Sequence, residues 1–283
     1  MNSIDHIEKM NRDIRIMQDR ISDYIGLRNR YMDFARALPY EDVLKDRERE
    51  KIIWVCWFQG IEQAPQLVKN CFRQLTKRYA GYKKILITSD NVFEYIEVDE
   101  TVKDKWKKGV ISNTAFSNII RLELLVRYGG VWMDATVLCT ADRLPDYIET
   151  SPLFVYSSWK WITGDVRPVS TWLMASDQHH PMLKAVRDCL VKYWTENDEL
   201  QTYFIFHMFF QMVIEQFPEV WGQTPRFSNV PPHMMQFELG NAYSGRRFEQ
   251  LTEMSDIHKL TYKLDDDVLT DEDSLHAHLI RNL

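Results

Sequence analysis

The sequence predicts an α/β fold with a mixed, mostly parallel central sheet, preceded by an N-terminal helical extension over residues 1–48. Three observations predict it. A continuous apolar run, Ile52-Ile53-Trp54-Val55-Cys56-Trp57-Phe58, stops at Gln59-Gly60, the pattern of a strand buried on both faces. A helical stretch over 65–79 then leads to a second apolar run at 85–88, closed by Ser89-Asp90-Asn91, and strand–helix–strand order implies a parallel pair joined by a crossover. Before residue 50, Ile7, Met10, Ile14, Met17, Ile21 and Tyr24 recur at alternating spacings of three and four, a short heptad seam. That seam suits packing on the protein's own body first and self-association second.

Ligands of open parallel sheets sit beyond the carboxyl ends of the strands, which puts Trp57, Gln59, Gly60, Asp90 and Asn91 near a site. The helix predicted over 114–128 has a wide apolar face, and Gly129 is its stop signal. Asn118 and Arg121, three apart, share one side of it. Strands follow at 131–134, 137–138, 153–156 and 171–174, with helices at 181–194 and 200–217. Residues 222–245, rich in Pro, Gly, Asn and Ser, read as loop with short strands, and 264–274 as an acidic surface segment. The expected division is an extension over 1–48 and one domain over 49–283.

Composition removes several classes of function. The 283 residues are 45% apolar and 27% charged, ordinary values for a folded globular chain. A net charge of −6 without a long Lys/Arg block argues against nucleic-acid binding. Lys103, Lys105, Lys107 and Lys108 alternate with Asp104 and Trp106 and read first as a solvated helix face, with contact to phosphate or an anionic membrane surface as the alternative. No apolar run is long enough for a spanning helix, and the first residues lack a basic region followed by an apolar core. Cys56, Cys71, Cys139 and Cys189 are widely spaced, as free thiols of a reducing compartment would be. A cytoplasmic location is expected, with peripheral attachment at the inner membrane face compatible with it.

The most informative stretch is Y-G-G-V-W-M-D-A-T at 128–136. It leads from a helix through two glycines to a short strand ending on Asp134. A carboxylate so placed is positioned to meet a ligand, whereas the bland alternative is a turn-capping role. A nucleotide sugar suits the position, because its diphosphate gains charge as the glycosidic bond breaks and needs cations from a metal, Lys or Arg. Mn2+ or Mg2+ with hard oxygen ligands would serve, Asp134 supplying one. No nucleophile elbow, Walker loop, H-E-x-x-H pair or G-x-G-x-x-G fingerprint is present.

Over roughly residues 50–265 the chain resembles the capsular polysaccharide synthesis glycosyltransferases, relatives of the initiating α-1,6-mannosyltransferases and, more distantly, of the large glucosylating toxins. F-S-N-I-I-R-L-E-L-L-V-R-Y-G-G-V-W-M-D-A-T carries the resemblance, supported by I-I-W-V-C-W-F-Q-G at 52–60 and I-H-K-L-T-Y-K at 257–263. It implies a GT-A type nucleotide-diphosphosugar transferase fold and transfer with retention. It also implies an Asp-X-Asp motif where Asp134-Ala135-Thr136 stands, although Thr136 replaces the second acid, a form the capsular branch often carries. Relatives have Ser-Asp before the helix Arg. Here Ser117-Asn118 stands instead, so Asn118 can hydrogen-bond sugar hydroxyls but cannot act as a charged partner.

The implied donor site comprises Trp57 stacked on the base, Gln59, Gly60, Gly129, Gly130 and Thr136, with Asn118 and Arg121 on the sugar. His258 would complete the metal shell with Asp134, Lys259 would meet the diphosphate, and Lys263 is held in reserve. Trp54 reads as core. So does His207, within Y-F-I-F-H-M-F-F, while His179-His180 reads as the loop leading into a helix, with an acceptor contact as the alternative. Trp159-Lys160-Trp161 and Trp172 fill core or stack on acceptor sugars. The implied partners are a nucleotide sugar donor and a saccharide acceptor, lipid-linked ones included. The rival from another class is a non-catalytic sugar-binding scaffold, with Asn118 and Thr136 as its marks; a nucleotide-sugar phosphodiesterase is a third alternative.

Overall fold

In the computed structural model, which describes residues 3–38, 49–158 and 165–283, the first apolar run forms β1 (Ile52–Cys56). The helical stretch is α2 (Gln66–Lys77), and it crosses to β2 (Lys83–Ile87), parallel to β1 with Trp54 opposite Ile85. Asp90 and Asn91 do not reach a site. Asn91 instead closes its own turn, accepting from Thr88 N at 2.8 Å and donating to Leu86 O at 2.9 Å. Two short helices follow, α3 (Val92–Tyr95) and α4 (Glu100–Lys107), the latter capped by Asp99.

The best helix is α5 (Asn113–Tyr128), started by Ser112, whose side chain accepts from Ala115 N. It turns at once into the central strand β3 (Gly130–Met133). Gly129 and Gly130 have φ of 64° and 93°. A Cβ would lie 2.7 Å from Ser176 O at the first and 2.7 Å from Ile52 O at the second. Only glycine combines that conformation with so close an approach of helix end to sheet. The pair therefore serves strand packing.

The chain continues through β4 (Val137–Cys139), α6 (Asp146–Glu149), β5 (Leu153–Ser157) and β6 (Val169–Ser176). The sheet order is β2-β1-β3-β6-β5, and β6 alone runs against the other four strands. Helices α7 (Pro181–Glu196) and α8 (Ile205–Gln216) pack against each other, with α7 also against α5.

The segment expected to be loop proves partly helical. After α9 (Pro218–Trp221), α10 (Val230–Phe237) lies wholly inside 222–245, and α11 (Gly245–Met254) begins at its end. Proline in a helical first turn lacks only an N–H that would have no partner there, so Pro231 starts α10 rather than breaking it. β7 (Ile257–Lys259) pairs antiparallel with β4 in a second, two-stranded sheet. α12 (Asp266–Thr270) occupies the acidic segment, and α13 (Leu275–Asn282) ends the chain.

The heptad seam lies on α1 (Ser3–Ala37), about 52 Å long at 1.5 Å per residue. Tyr24, Leu27, Tyr31, Met32 and Ala35 are buried in the same core as α5, α7 and α8, while Ile7, Met10 and Ile14 are exposed. Only the second half of the seam thus packs on the body, and Arg28 reinforces it through Glu215 on α8 at 2.9 Å. The expected helical stretch at 39–48 lies outside the described residues, as does Trp159-Lys160-Trp161. Among the described residues no helix is long and apolar enough to cross a membrane.

Candidate functional site

Beyond the carboxyl ends of β1 and β3 lies a cavity of about 680 Å3. That volume falls within the usual range for small-molecule sites. One wall is the first half of α5, another is the segment just after β1, and α7 and α8 close the far side. The segment running on from β7 completes the rim.

Asp134 follows β3 directly and is anchored by its backbone, N to Trp172 O at 2.8 Å. Its Oδ1 accepts from Trp132 Nε1 at 3.0 Å and from Arg121 Nη2 at 3.4 Å. Its Oδ2 lies 3.3 Å from Lys259 Nζ, which also donates to Thr136 Oγ1 at 2.5 Å. One half-exposed carboxylate therefore holds together two cations from α5 and β7. Among the described residues it is the only carboxylate lining the cavity.

Arg121 is almost fully buried, donates Nη1 to Thr171 O, and lies 4.9 Å over the Trp132 ring. Burial pulls its pKa below the ordinary value, and the nearby Asp134 charge opposes that shift. Asn118, one turn earlier on the same side of α5, also lines the cavity. Trp57 lies just past β1, edge-on to Tyr262 at 5.6 Å and 75°. Trp54, in contrast, is core, its Nε1 donating to Gly129 O at 3.0 Å.

Three polar atoms in this wall are buried without a hydrogen-bond partner: Trp57 Nε1, Arg121 Nε and His207 Nδ1. Each such atom costs about 1–3 kcal/mol when nothing satisfies it, so their coincidence on one cavity fits a ligand-binding role.

The structure brings together Trp57, Gln59, Asn118, Arg121, Asp134, Thr136 and Lys259, with Lys263 beside them. Gly60, Gly129, Gly130 and His258 do not line the cavity. For His258 the reason is the strand period. In β7 it pairs with Leu138 while Lys259 pairs with Val137, and successive strand residues face opposite ways. With Lys259 turned to Asp134, His258 is fully buried on the other face, and burial lowers its pKa to about 4. It is not in position to share an ion with Asp134. Among the described residues no group of three or more His, Cys, Asp or Glu could hold a metal ion.

Sequence reasoning missed His207, assigned to the core, and Tyr262. α8 is apolar on nearly every side, so its one imidazole had to face either packed core or a cavity. It faces the cavity, and burial lowers its pKa to about 3. Trp172 stacks on Tyr156 at 5.0 Å and 16° and fills core.

The capsular polysaccharide synthesis protein family matches residues 3–279. Among solved structures the chain is similar to the PaToxG glycosyltransferase, with 13% identity, a TM-score of 0.44, and coverage of 95% of this chain and 97% of that one. It is also similar to the apo form of the glycosyltransferase GlyE of Streptococcus pneumoniae TIGR4, with 9% identity and a TM-score of 0.39. That likeness covers 82% of this chain and 62% of the other. No curated protein sequence gives a match.

Proposed function

The chain belongs to the capsular polysaccharide synthesis protein family, and from that premise we propose that it is a GT-A type glycosyltransferase. It would move a sugar from a nucleotide-diphosphate donor to a growing cell-surface saccharide, with retention, on the cytoplasmic side of the membrane. The observation that carries the proposal is the Arg121–Asp134–Lys259 cluster on a cavity at the carboxyl ends of β1 and β3.

The roles follow from placement. Trp57 with Tyr262 offers aromatic surface for the base. Asn118 hydrogen-bonds sugar hydroxyls. Arg121, its Nε unpartnered, meets the donor's sugar or phosphate oxygens. Asp134 orients both cations.

In the transfer step the acceptor hydroxyl oxygen bonds to the anomeric carbon on the face from which the diphosphate departs. The carbon–oxygen bond to the diphosphate breaks, its electron pair leaving on the phosphate oxygen, and that oxygen takes the acceptor's proton. Engagement of Asp134 by Trp132, Arg121 and Lys259 supports this route, since that carboxylate is poorly free to act as nucleophile or base.

The test is a thermal-shift screen of nucleoside diphosphates and nucleotide sugars, followed by assay of nucleoside diphosphate release with saccharide acceptors. A donor should raise Tm by mass action and be consumed faster with acceptor present. Binding without any cleavage identifies the non-catalytic scaffold, cleavage to nucleoside monophosphate and sugar phosphate whatever the acceptor identifies a phosphodiesterase, and no binding at all sinks the proposal.

A further inference from the structure

A divalent cation at an Asp-X-Asp pair would be held through the carboxylate oxygens; at the two matching positions here, Asp134 and Thr136, an ammonium group is held instead. Lys259 Nζ lies 3.3 Å from Asp134 Oδ2 and 2.5 Å from Thr136 Oγ1. Asp134 Oδ1 is taken by Arg121 and Trp132 Nε1. Magnesium and manganese want about six hard oxygen ligands. Among the described residues this position offers one carboxylate already facing two cations and one hydroxyl already accepting a proton, with His258 on the far side of β7. A dication placed there would also sit against the like charges of Lys259 and Arg121. This donor set does not fit a resident divalent ion.

We propose that Lys259 is the chain's built-in counter-ion for the diphosphate, and that the donor binds and its diphosphate departs without a divalent metal. The inference rests on the nucleotide-sugar proposal above and deepens it. An ammonium has three donors, of which Asp134 and Thr136 engage two, leaving one for a phosphate oxygen. β7 is hydrogen-bonded to β4, so the group is presented from ordered backbone. Thr136 becomes intelligible as well, because a hydroxyl holds the ammonium without adding the second negative charge that would recruit a metal.

The charges that line the cavity agree. Among the described residues, Arg121, Lys259 and Lys263 stand against Asp134 alone, a surplus that complements a sugar-linked diphosphate, with His207 kept neutral by burial. As the bond to the anomeric carbon breaks, the electron pair arriving on the phosphate oxygen would meet Lys259 directly.

The experiment is calorimetric titration of the full chain with the diphosphates of uridine, guanosine, adenosine, cytidine and thymidine, once in chelator and once in manganese. The nucleotide that binds should do so in chelator within about threefold of its affinity in manganese, as expected where fixed protein cations supply the electrostatics. Lys259→Met should weaken that diphosphate by about tenfold or more, the worth of a charge-assisted phosphate contact, while Lys259→Arg, which keeps the charge, stays closer to wild type. Circular dichroism of both variants checks that the fold persists. Binding that appears only with manganese, or wild-type affinity in Lys259→Met, overturns the lysine-for-metal inference and leaves glycosyl transfer standing. Absence of binding in both buffers overturns the two together.

Discussion

Arg49 and Arg121 are both buried guanidinium groups whose pKa values burial lowers, yet they live in opposite surroundings. Arg49, just before β1, uses every nitrogen. Nε donates to Asp177 Oδ1 at 3.1 Å, Nη1 to Ile148 O at 2.7 Å, and Nη2 to Ser151 O. Arg121, near the other end of the sheet, reaches Asp134 only at 3.4 Å and leaves Nε with nothing. A buried charge is tolerated when its hydrogen bonds are complete. Arg49 meets that condition within the protein, so it anchors α6 and the segment after β6 to the chain entering the sheet. Arg121 does not, and its unpartnered Nε fits the donor-binding role proposed for it.

The largest effect should come from breaking the anchor. Arg49→Met should cost about 3–5 kcal/mol in urea unfolding, because it strips a charged partner from Asp177 and a donor from the carbonyls of Ile148, Glu149 and Ser151. A loss below about 1 kcal/mol would erase the contrast with Arg121.

On the cavity side the damage should fall on chemistry. Asp134→Asn keeps the shape and a hydrogen-bond acceptor but removes the charge that gathers Arg121 and Lys259. Donor turnover should fall at least roughly 100-fold, near 3 kcal/mol of barrier. Stability should fall less than in Arg49→Met, by about 1–2 kcal/mol, because Asp134 is partly exposed while Arg121 stays buried with its bond to Thr171 O. Turnover like wild type would remove Asp134 from the mechanism.

A second pair of residues, adjacent on β7, sharpens the same lesson by titration. His258 binds its proton only near pH 4 when folded, against about 6.5 when unfolded. Its contribution to stability is therefore complete above about pH 6.5 and is lost as pH falls toward the folded value. Denaturation at pH 5 should show about 2 kcal/mol less stability than at pH 7 from this group, with His207 acting in the same direction. In His258→Gln that share of the slope should vanish; an unchanged slope would mean the imidazole is not buried neutral.

The sheet was legible because its strands are short apolar runs separated by polar turns, and β1, β2, α5 and β3 lie within a residue or two of where the pattern puts them. Asp134, Arg121 and Asn118 share a cavity because strand end and helix face are local properties. What could not be read was pairing between distant segments. The register of β7 on β4 decides that Lys259 and not His258 meets Asp134, and nothing near residue 258 in the chain encodes it. α10 was missed because its prolines signal a break in most places, and here they stand in a first turn. The close approaches at Gly129 and Gly130 likewise depend on Ser176 and Ile52, far away in sequence.

The smallest effect tests how firmly the cavity wall itself is held. Ser112 starts α5 by accepting from Ala115 N at 3.2 Å, two turns before Arg121. Ser112→Ala should cost about 1 kcal/mol, and Ser112→Gly only a few tenths, because glycine suits a cap position and exposes the helix end to water. If the two substitutions cost the same, the serine is not acting as a cap. Because Arg121 is tied to Thr171 and packed over Trp132 independently of that helix end, donor affinity should hardly move in either variant. A large loss of affinity would instead mean that the first turn of α5, which lines the cavity, touches the donor itself.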